Sequence, residues 1–516
     1  MPTLLNDQVA QDGHAIAMLD ADGAVTWREL GARVNRWMDV LTRTGVRNGD
    51  VIACLLGNRR ETFEVLLAGL HLGVTVVPVN WHLTAPEIAY ILADSGSRVL
   101  VTEPAYASTA AAAGGPVRLV LGDHALDGFT PAGPLLASAD PAERAGQICG
   151  SIMLYTSGTT GRPKGVVNNM FAHGAPFDRV DRLIDYARVV LGVPAHGRVL
   201  LDGPWYHSAQ LFFALLALLQ SSRLVIRPYF DPVATLDVID SQRITAVHLV
   251  PTQLVRLLRV DRASRAAFSG AGLERVWHGG GACPEAVKRA MIEWWGPVLT
   301  EYYGATEGGV VTLIGSTEWL RRPGSVGRAV PPSELLILGE DGAELPPGHT
   351  GRIFIRRRSG RRFRYHNDPA KTRGAYHAPD TFTYGEVGHV DEQGYLYLTG
   401  RAQDMIVTGG VNVYPAEVEA VLLSHPHVRD AAVVGVGDDE FGERVVAVVV
   451  AGEEAGDDLP ERLDEYLRES LAGFKVPRDY HLAGSLPRDE NGKLRKRELR
   501  ERYAPAVAVA GERVPR

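Results

Sequence analysis

The sequence predicts an α/β fold with a large N-terminal domain and a small α+β C-terminal domain. Helical and strand patterns alternate over the first part of the chain, pause once, and resume after Ile152. We therefore expect two subdomains there, each a parallel sheet covered by helices. From about Gly324, short strands between Gly and Pro turns indicate a small β-barrel-like subdomain. The length of 516 residues fits this division, because one compact core rarely holds so many.

The first subdomain is predicted from an amphipathic helix and the alternation that follows it. In Thr26–Thr44 the apolar side chains Leu30, Val34 and Leu41 recur on one helical face. The next predicted helices are Glu61–Leu72 and Ile88–Ala93, and the predicted strands are Val51–Leu56, Val74–Val79 and Val99–Val101. The stretch Ala105–Ala145 is rich in Ala, Gly and Pro, and we interpret it as a surface excursion outside the core.

The rest of the chain supplies a second set of elements and a separate C-terminal module. After Ile152 we expect strands at Val199–Leu201, Leu224–Ile226 and Val247–Val250, and helices at Leu211–Leu219, Val233–Ile239 and Gln253–Leu258. In the β-rich subdomain the expected strands are Leu335–Leu338, Gly351–Arg356 and Tyr395–Leu398. The pattern of short strands between turns ends near 401–404. This change predicts domains at 1–402 and 403–516 with a hinge at about 403. The expected C-terminal elements are helices Ala416–Leu423 and Leu459–Ser470 and strands Ala431–Val436 and Val445–Val450.

Bulk composition disfavours several classes of partner and location. The net charge of −7 disfavours nucleic acid and anionic membranes as partners. The longest purely apolar run, Leu211–Leu219, has nine residues and is too short for a membrane span. The sequence opens without a charged and then apolar leader, and its three cysteines show no paired spacing. We therefore expect a cytoplasmic protein without structural disulfides.

One loop dominates the functional interpretation. Residues 155–166, Tyr-Thr-Ser-Gly-Thr-Thr-Gly-Arg-Pro-Lys-Gly-Val, follow the apolar strand Ser151–Leu154. Three glycines permit close backbone approach, four hydroxyls and many amide groups offer donors, and Lys164 adds a point charge. Lys164 is also one of only six lysines among 54 basic residues. The pattern predicts a polyphosphate-binding loop that differs from the standard P-loop, because Pro163 stands where that motif has its second glycine.

This loop resembles the phosphate loop of the adenylate-forming enzymes, which include acyl-CoA synthetases, adenylation domains and luciferases. Three further segments are similar to motifs of that superfamily and occur in the same order: Tyr303–Glu307, the hinge segment Gly400–Glu417, and the lysine loop Pro487–Lys493. The resemblance covers nearly the whole chain, and four ordered matches are highly specific. It implies the acyl-CoA synthetase branch, an AMP-forming acid–thiol ligase whose mobile small domain rotates between two half-reactions.

The resemblance implies an ATP site assembled from distant segments. Thr306 would donate to the α-phosphate, Glu307 would bind Mg²⁺, and Lys493 would bridge the carboxylate and the α-phosphate. The other implied contacts are the phosphate cradle Thr156, Ser157, Gly158, Thr159, Thr160 and Lys164, the adenine contacts Tyr303, Gly280, Gly281 and Ala282, and the ribose contacts Arg401 and Glu386. Considered alone, Tyr303 also fits a core aromatic residue and Lys493 an exposed turn charge.

For the second half-reaction the resemblance implies coenzyme A as the thiol. Gly409 and Gly410 would line the pantetheine channel, and Lys475 would meet a CoA phosphate, with a solvated helix-end charge as an equal alternative. His207 matches a family position beside the acyl pocket and the thiol tunnel. The implied acyl pocket draws on Trp205, His207, Phe212, His278, Gly279 and Gly308. Because the run Gly279–Gly281 contributes no side chains, it favours a bulky or long hydrophobic acid over acetate.

Two positions depart from the family pattern. Glu386 stands where relatives have an aspartate that holds the ribose hydroxyls, and its extra methylene shifts the carboxylate by roughly 1 Å. Gln403 replaces the usual Asp or Lys of the hinge. One hypothesis is that ATP activation is impaired and the protein converts an acyl-adenylate, made by a separate partner enzyme, into the thioester. The alternative, which we favour, is that a slight backbone shift lets Glu386 do the work of aspartate.

Three rival classes remain to be weighed against a CoA ligase. His278–Gly281 resembles the oxyanion segment of some esterases, but the chain has no Gly-x-Ser-x-Gly elbow. An adenylating enzyme that loads a separate carrier protein stays open as an alternative. A nucleotide-binding scaffold is disfavoured by Lys493 and Glu307. The expected partners are a carboxylic acid or its adenylate and CoA, and the oligomeric state is left open, with a homodimer as one option.

Overall fold

The structure, a computed structural model, describes residues 3–156, 163–168, 170–358, 362–401, 404–408, 411–438, 441–489 and 494–504. Within these ranges the strands form sheets of eight, fifteen and five strands, called here the N-terminal, central and C-terminal sheets. The predicted class is confirmed: a mixed α/β fold with parallel sheets, a large N-terminal part and a small C-terminal part. None of the helices in the described ranges is long and apolar enough to cross a membrane.

The N-terminal sheet carries the glycine-rich loop of the sequence. In spatial order its strands are Arg364–Tyr365, Lys164–Val167, Ser151–Thr156, Thr75–Pro78, Val51–Leu55, Val99–Thr102, Val117–Val120 and Thr130–Pro131. The first three pair antiparallel, and the pairs from Ser151–Thr156 onward are parallel. The helices of this region are Arg60–His71, Ala85–Ser95, Ala107–Ala113 and Ala132–Ala137, with a 3₁₀ turn at Pro104–Tyr106. Apolar strands covered by helices account for this parallel core.

The expectation that Ala105–Ala145 lies outside the core is wrong. Val117–Val120 and Thr130–Pro131 add two parallel strands to the N-terminal sheet. Leu119 and Ala132 are fully buried. Val117–Val120 pairs with Val99–Thr102, and Thr130–Pro131 pairs with Val117–Val120. The surrounding Ala, Gly and Pro residues masked both strands in the sequence.

The central sheet has a parallel half and an antiparallel half. The parallel strands, in spatial order, are Ile16–Asp20, Arg223–Ile226, Arg198–Leu201, Ala246–Leu249, Arg275–His278 and Leu299–Ala305, with Gly23–Thr26 antiparallel at the edge. The antiparallel strands are Gly309–Gly315, Ser325–Ala329, Tyr395–Arg401, Glu386–Val390, Gly351–Arg357, Ser333–Leu338, Thr381–Phe382 and Tyr376–Ala378. The β-rich region expected after Gly324 therefore extends the same sheet.

The two halves meet at one strand and one tight turn. Leu299–Ala305 pairs parallel with Arg275–His278 and antiparallel with Gly309–Gly315. Gly309 ends the turn with a φ of 69°, in the left-handed region that favours glycine. The Thr306 and Glu307 side chains thus project from the point at which the sheet changes from parallel to antiparallel.

Helices cover both faces of the central sheet. A capping box between Thr26 and Glu29 begins Trp27–Arg43, close to the predicted start. Trp277 belongs to the hydrophobic cluster that includes the N-terminal sheet, whereas Val276 and Leu249 belong to the cluster on the opposite face. The remaining helices are Asn6–Asp12, Asp178–Val189, Ser208–Leu219, Pro232–Ser241, Pro251–Leu258, Arg262–Ala267, Glu285–Trp295, Ser316–Trp319 and Pro369–Gly374, with a 3₁₀ turn at Thr3–Leu5.

The C-terminal sheet is built around one long hairpin. Val428–Asp438 and Gly442–Ala451 pair antiparallel, and Asp479–Leu482 joins the second of them in parallel. The other strands are Ile406–Thr408 and Val411–Val413. Helices Pro415–Ser424, Leu459–Ser470 and Lys496–Tyr503 cover the sheet, with a 3₁₀ turn at Gly473–Lys475. The α+β module expected from the sequence is therefore present.

Candidate active site

The glycine-rich loop is carried by a β-hairpin of the N-terminal sheet. Thr156 ends the first strand and lies directly opposite Lys164, which begins the second. The Lys164 ammonium contacts Asp368, with an Nζ–Oδ2 distance of 3.0 Å. Ser157, Gly158, Thr159 and Thr160 lie outside the described residues. The described part of the hairpin thus presents a threonine and a lysine at the base of the loop.

The turn that carries Thr306 is tied to this hairpin. Asn168, just after the second hairpin strand, donates its amide to the Thr306 carbonyl at 2.9 Å. The Thr306 hydroxyl donates to the Ser208 hydroxyl at 3.0 Å, at the start of Ser208–Leu219. Arg357 donates to the carbonyl of Gly308 in the same turn. These contacts hold the turn against both sheets.

Glu307 is held by a residue from a distant part of the sequence. The Tyr365 hydroxyl donates to Glu307 Oε1 at 2.9 Å. Burial and the Glu307 carboxylate raise the pKa of Tyr365 well above its usual range, so the phenol remains a donor. Strand Arg364–Tyr365 pairs with Lys164–Val167, which explains how Tyr365 reaches this place. Glu307 and Lys164 therefore approach the same region from opposite sheets.

Three residues near Lys164 and Glu307 were not predicted from the sequence. Tyr365 holds Glu307, Asp368 pairs with Lys164, and the Lys371 ammonium lies 4.2 Å above the centre of the Tyr365 ring. The scarcity of lysine was a usable signal for Lys371. An aspartate before a proline was a signal for Asp368, which caps helix Pro369–Gly374.

The residues expected at adenine and ribose form a second group. Glu386 lies directly opposite Arg401 on the neighbouring antiparallel strand, and for Arg401 only the backbone is described. The Tyr303 hydroxyl donates to Glu386 Oε2 at 2.9 Å. The Tyr303 side chain is buried in a hydrophobic cluster with Val311 and Leu396. The register therefore brings Glu386, Arg401 and Tyr303 together, while much of the Tyr303 ring serves the core.

The glycine segment 279–282 has one crowded end and one open end. A side chain at Gly279 would lie 2.7 Å from the Tyr302 ring, so this position requires glycine. Gly280, Gly281 and Ala282 are exposed. An added Cβ on Gly280 or Gly281 would meet no atom within 4 Å. The open end therefore has space beside it, as a ligand surface requires.

The residues expected in the acyl pocket differ in their surroundings. Trp205 is fully buried and donates its indole N–H to the Leu56 carbonyl at 2.7 Å. Phe212 is nearly buried and stacks against Phe171, with ring centroids 6.4 Å apart. A Cβ on Gly308 would collide with the hydroxyl of Tyr384. Trp205 is thus shielded by core contacts, whereas Gly308 adjoins the Thr306–Glu307 turn.

His207 and His278 lie on different elements. His207 precedes helix Ser208–Leu219, and burial, with His82 nearby, lowers the pKa of His207 to about 3. His278 pairs with Leu249 and Glu301 in the parallel register, on the face opposite Trp277. His278 is fully buried, and its pKa is held well below the usual range by burial and then by Lys288. Both imidazoles are therefore neutral at pH 7.

Most predicted C-terminal site residues fall outside the described ranges. These are Lys493, Gly409 and Gly410, together with the hinge residue Gln403. Lys475 is described, and its ammonium contacts Glu417 with an Nζ–Oε1 distance of 2.6 Å. The same ammonium lies 5.9 Å from the ring centre of Phe474, which is about half exposed. Lys475 thus lies at the surface of the C-terminal part.

Two family models match the chain and together span both of its parts. The model of the AMP-binding enzyme matches residues 5–360, and that of the AMP-binding enzyme C-terminal domain matches residues 417–493. The chain is 32% identical over 495 residues to the long-chain-fatty-acid–CoA ligase FadD13 of Mycobacterium tuberculosis, covering 94% of each protein. It is 33% identical over 506 residues to a feruloyl-CoA synthase of Amycolatopsis, covering 95% of this chain and 96% of the relative.

A solved structure supports the same relationship. ATP-bound MatB from Rhodopseudomonas palustris superposes with a TM-score of 0.84 at 29% identity, covering 97% of this chain and 99% of MatB. Sequence and structure thus agree over nearly the full length of the relatives. The chain belongs to the AMP-binding enzyme family of adenylate-forming enzymes, and within it to the acyl-CoA synthetase branch of acid–thiol ligases.

Proposed function

We propose that this protein joins a bulky or long hydrophobic carboxylic acid to coenzyme A through an acyl-adenylate. The observation that carries the proposal is the convergence of Lys164 with the Thr306–Glu307 turn. Asn168 and Tyr365 link the two segments, with hydrogen bonds of 2.9 Å each. A cation, a hydroxyl and a carboxylate in one place suit a bound ATP and its metal ion.

In the first half-reaction a carboxylate oxygen of the acid attacks the α-phosphorus of ATP. The bond from that phosphorus to the bridging oxygen breaks, and pyrophosphate leaves with the electron pair. Lys164 would neutralise charge on the departing phosphates, and Thr306 would donate to the α-phosphate. By the family resemblance, Lys493 would bridge the two reacting anions. Adenine would lie between Tyr303 and the open glycines 280–281, and Glu386 and Arg401 would hold the ribose.

The residues present fit a magnesium ion. Tyr365 engages only Oε1 of Glu307. Mg²⁺ commonly binds one or two carboxylates and takes its other ligands from substrate phosphates and water. Glu307, beside the proposed phosphate site, would hold such an ion, which would offset phosphate charge during adenylation.

The size of the acid is inferred from space and from relatives. Gly280 and Gly281 leave open volume, and Gly279 and Gly308 lie against Tyr302 and Tyr384. Phe212 would supply apolar surface nearby, and the pocket assignment of Trp205, His207 and His278 stays a prediction. A long-chain fatty acid and ferulic acid, the acids in the names of the two relatives, are both larger than acetate.

The second half-reaction would pass the acyl group from AMP to the CoA sulfur. We propose that a C-terminal domain, residues 403–516, rotates about a hinge near residue 403 relative to domain 1–402. Gly409 and Gly410 would then line the pantetheine channel, and Lys475 would face a CoA phosphate. The neutral His207 would adjoin the acyl group and the thiol tunnel without adding charge there.

A second candidate is an enzyme that performs only the thioester step. It is motivated by Glu386, which is one methylene longer than the aspartate that relatives have at this position. Under this hypothesis a partner enzyme supplies the acyl-adenylate. We favour the complete reaction, because the bond to Tyr303 directs the Glu386 carboxylate towards the proposed adenine side.

One experiment separates these candidates. Acids of graded size are incubated with ATP, Mg²⁺ and CoA, and each pre-formed acyl-adenylate is incubated with CoA alone. The proposal expects AMP and thioester from both series, with the best yields for large apolar acids. Thioester from the adenylates alone, with no acid-dependent pyrophosphate exchange, would establish the second candidate. In that case Glu386→Asp is expected to raise the exchange rate.

The thiol acceptor is tested in the same assay. A pantetheinylated carrier protein replaces CoA at equal concentration. Higher thioester yield with CoA supports the proposal, whereas acylation of the carrier alone would assign the protein to carrier loading.

A further inference from the structure

The phosphate side of the site contains a second lysine. Lys371 lies on helix Pro369–Gly374, which follows strand Arg364–Tyr365. That strand pairs with the hairpin strand that begins at Lys164. The pairing places two of the six lysines of the chain beside the same loop.

One carboxylate links the two lysines. Asp368 accepts the Lys164 ammonium through Oδ2 at 3.0 Å and the Lys371 backbone amide through Oδ1 at 2.9 Å. Burial, followed by the charge of Lys164, lowers the pKa of Lys371. Two ammonium groups close enough to repel each other are costly unless an anion lies between them.

The Lys371 ammonium is positioned by a ring that is itself fixed. Its Nζ lies 4.2 Å above the centre of the Tyr365 ring, within the range of a cation–π contact. Tyr365 in turn holds Glu307 through its hydroxyl. The cation is therefore preorganised next to the carboxylate that would bind Mg²⁺, which reduces the entropy lost when an anion binds.

We propose that Lys371 is a second pyrophosphate-binding residue, which with Lys164 holds the β- and γ-phosphates of ATP. This inference rests on the proposed function, because it assigns the leaving group of the adenylation step. The charges fit the leaving group: two lysines and a magnesium ion outweigh the carboxylates of Asp368 and Glu307, so the cluster would present net positive charge to a polyanion. Lys371 forms no bond to the reacting carboxylate and acts only on the phosphates.

The inference predicts an effect on one half-reaction alone. Adenylation and its reversal involve pyrophosphate, so loss of the Lys371 charge weakens both. Thioester formation from a pre-formed acyl-adenylate involves no pyrophosphate, so the same loss leaves that step unchanged. A residue that only maintained the fold would affect both steps together.

Calorimetric titration of the full chain with inorganic pyrophosphate and Mg²⁺ tests the inference. Lys371→Met is expected to weaken binding about 10- to 100-fold, the usual effect of losing one charge-assisted contact. Lys371→Arg keeps the charge in a different shape and is expected to retain more of the binding than Lys371→Met. Arg373→Gln removes an exposed cation of the same helix and serves as the matched control with unchanged binding.

The outcomes separate this inference from the proposed function. Equal pyrophosphate affinity in the wild type and Lys371→Met would overturn the inference, as would an equal loss in adenylation and in thioester formation from adenylate. Pyrophosphate binding that depends on Lys371 supports the inference even in a protein that activates no acid, and in that case only the proposed function fails.

Discussion

Two lysine–carboxylate pairs near the site have the same chemical groups but differ in burial, and we expect them to have different roles. Lys164 and Asp368 lie 3.0 Å apart, with 17% and 31% of their side chains exposed. Lys288 and Glu301 lie 2.5 Å apart, with 0% and 8% exposed. The first pair includes Lys164, which begins the second strand of the glycine-rich hairpin, and the second joins helix Glu285–Trp295 to strand Leu299–Ala305.

The difference decides which pair a ligand can reach. Burial lowers the pKa of Lys288 and raises that of Glu301, so each partner depends on the other to remain charged. Lys288 also lies 4.6 Å from the ring centre of Trp319, enclosed on a further side. The partly exposed pair is expected to contribute less to stability, and solvent access would let Lys164 exchange Asp368 for a phosphate. We therefore expect the buried pair to support the fold and the partly exposed pair to take part in ligand binding.

The largest effect is expected from Lys288→Met. Glu301 would lose its partner inside the protein, and breaking a buried pair in this way costs about 3–5 kcal/mol. Urea titration measures the change in the free energy of unfolding. The double variant Lys288→Met with Glu301→Gln is expected to recover part of the loss, because no unpaired charge remains. A loss below about 1 kcal/mol in the single variant would remove the contrast between the pairs.

Lys164→Met is expected to impair the reaction while leaving the stability of the fold almost unchanged. Acid-dependent pyrophosphate exchange should fall about 10- to 100-fold, since a charge-assisted contact to the departing phosphates is lost. The urea midpoint should hardly move, because the pair is partly exposed. The comparison fails if the variant unfolds much more easily than the wild type while exchange stays normal.

Tyr365→Phe is expected to weaken the binding of Mg²⁺ without changing the ring beneath Lys371. The ring under Lys371 is kept, and only the hydroxyl that holds Glu307 at 2.9 Å is removed. One neutral donor to a carboxylate suggests a loss of about 3- to 10-fold in apparent Mg²⁺ affinity. Magnesium dependence of adenylate formation measures it. Unchanged dependence would show that Glu307 needs no support from Tyr365.

The smallest expected effect is a pH dependence. The pKa of Lys371 lies below that of free lysine, so its charge is lost at a lower pH than usual as the solution becomes more alkaline. Pyrophosphate affinity should therefore decline with rising pH before ordinary lysines titrate. Lys371→Arg stays charged throughout. Identical pH curves for the wild type and this variant would contradict the expectation.

The long amphipathic helices were predicted closely from the sequence. The helix expected at Thr26–Thr44 is Trp27–Arg43, and the helix Leu459–Ser470 has the predicted bounds. Val117–Val120 was missed because it lies in a stretch rich in Ala, Gly and Pro and contains the polar Arg118, whereas its place in the sheet depends on the edge of Val99–Thr102. The β-rich region belongs to the central sheet because Leu299–Ala305 pairs with Gly309–Gly315, and the local sequence pattern does not reveal this pairing.

The residues of the candidate site also fall into a group that the sequence predicted and a group that it did not. Motif resemblance predicted site roles for Lys164, Thr306 and Glu307, because these residues stand in contiguous segments with an ordered pattern. Tyr365 and Asp368 were missed, since they reach the hairpin from about 200 positions away in the chain. A two-residue strand pairing brings them there, and so short a contact leaves no pattern to recognise.

The amino-acid sequence by itself determined the α/β class, the order of most elements and the family, because periodicity and motifs are local properties of the chain. It also marked lysine as scarce. Only the tertiary structure decided that Lys288 is enclosed, that Lys164 pairs with the partly exposed Asp368 and that Lys371 lies over the Tyr365 ring. The physical reason is that burial and charge environment arise from residues far apart in the chain, and these properties decide whether a lysine supports the fold or can bind a ligand.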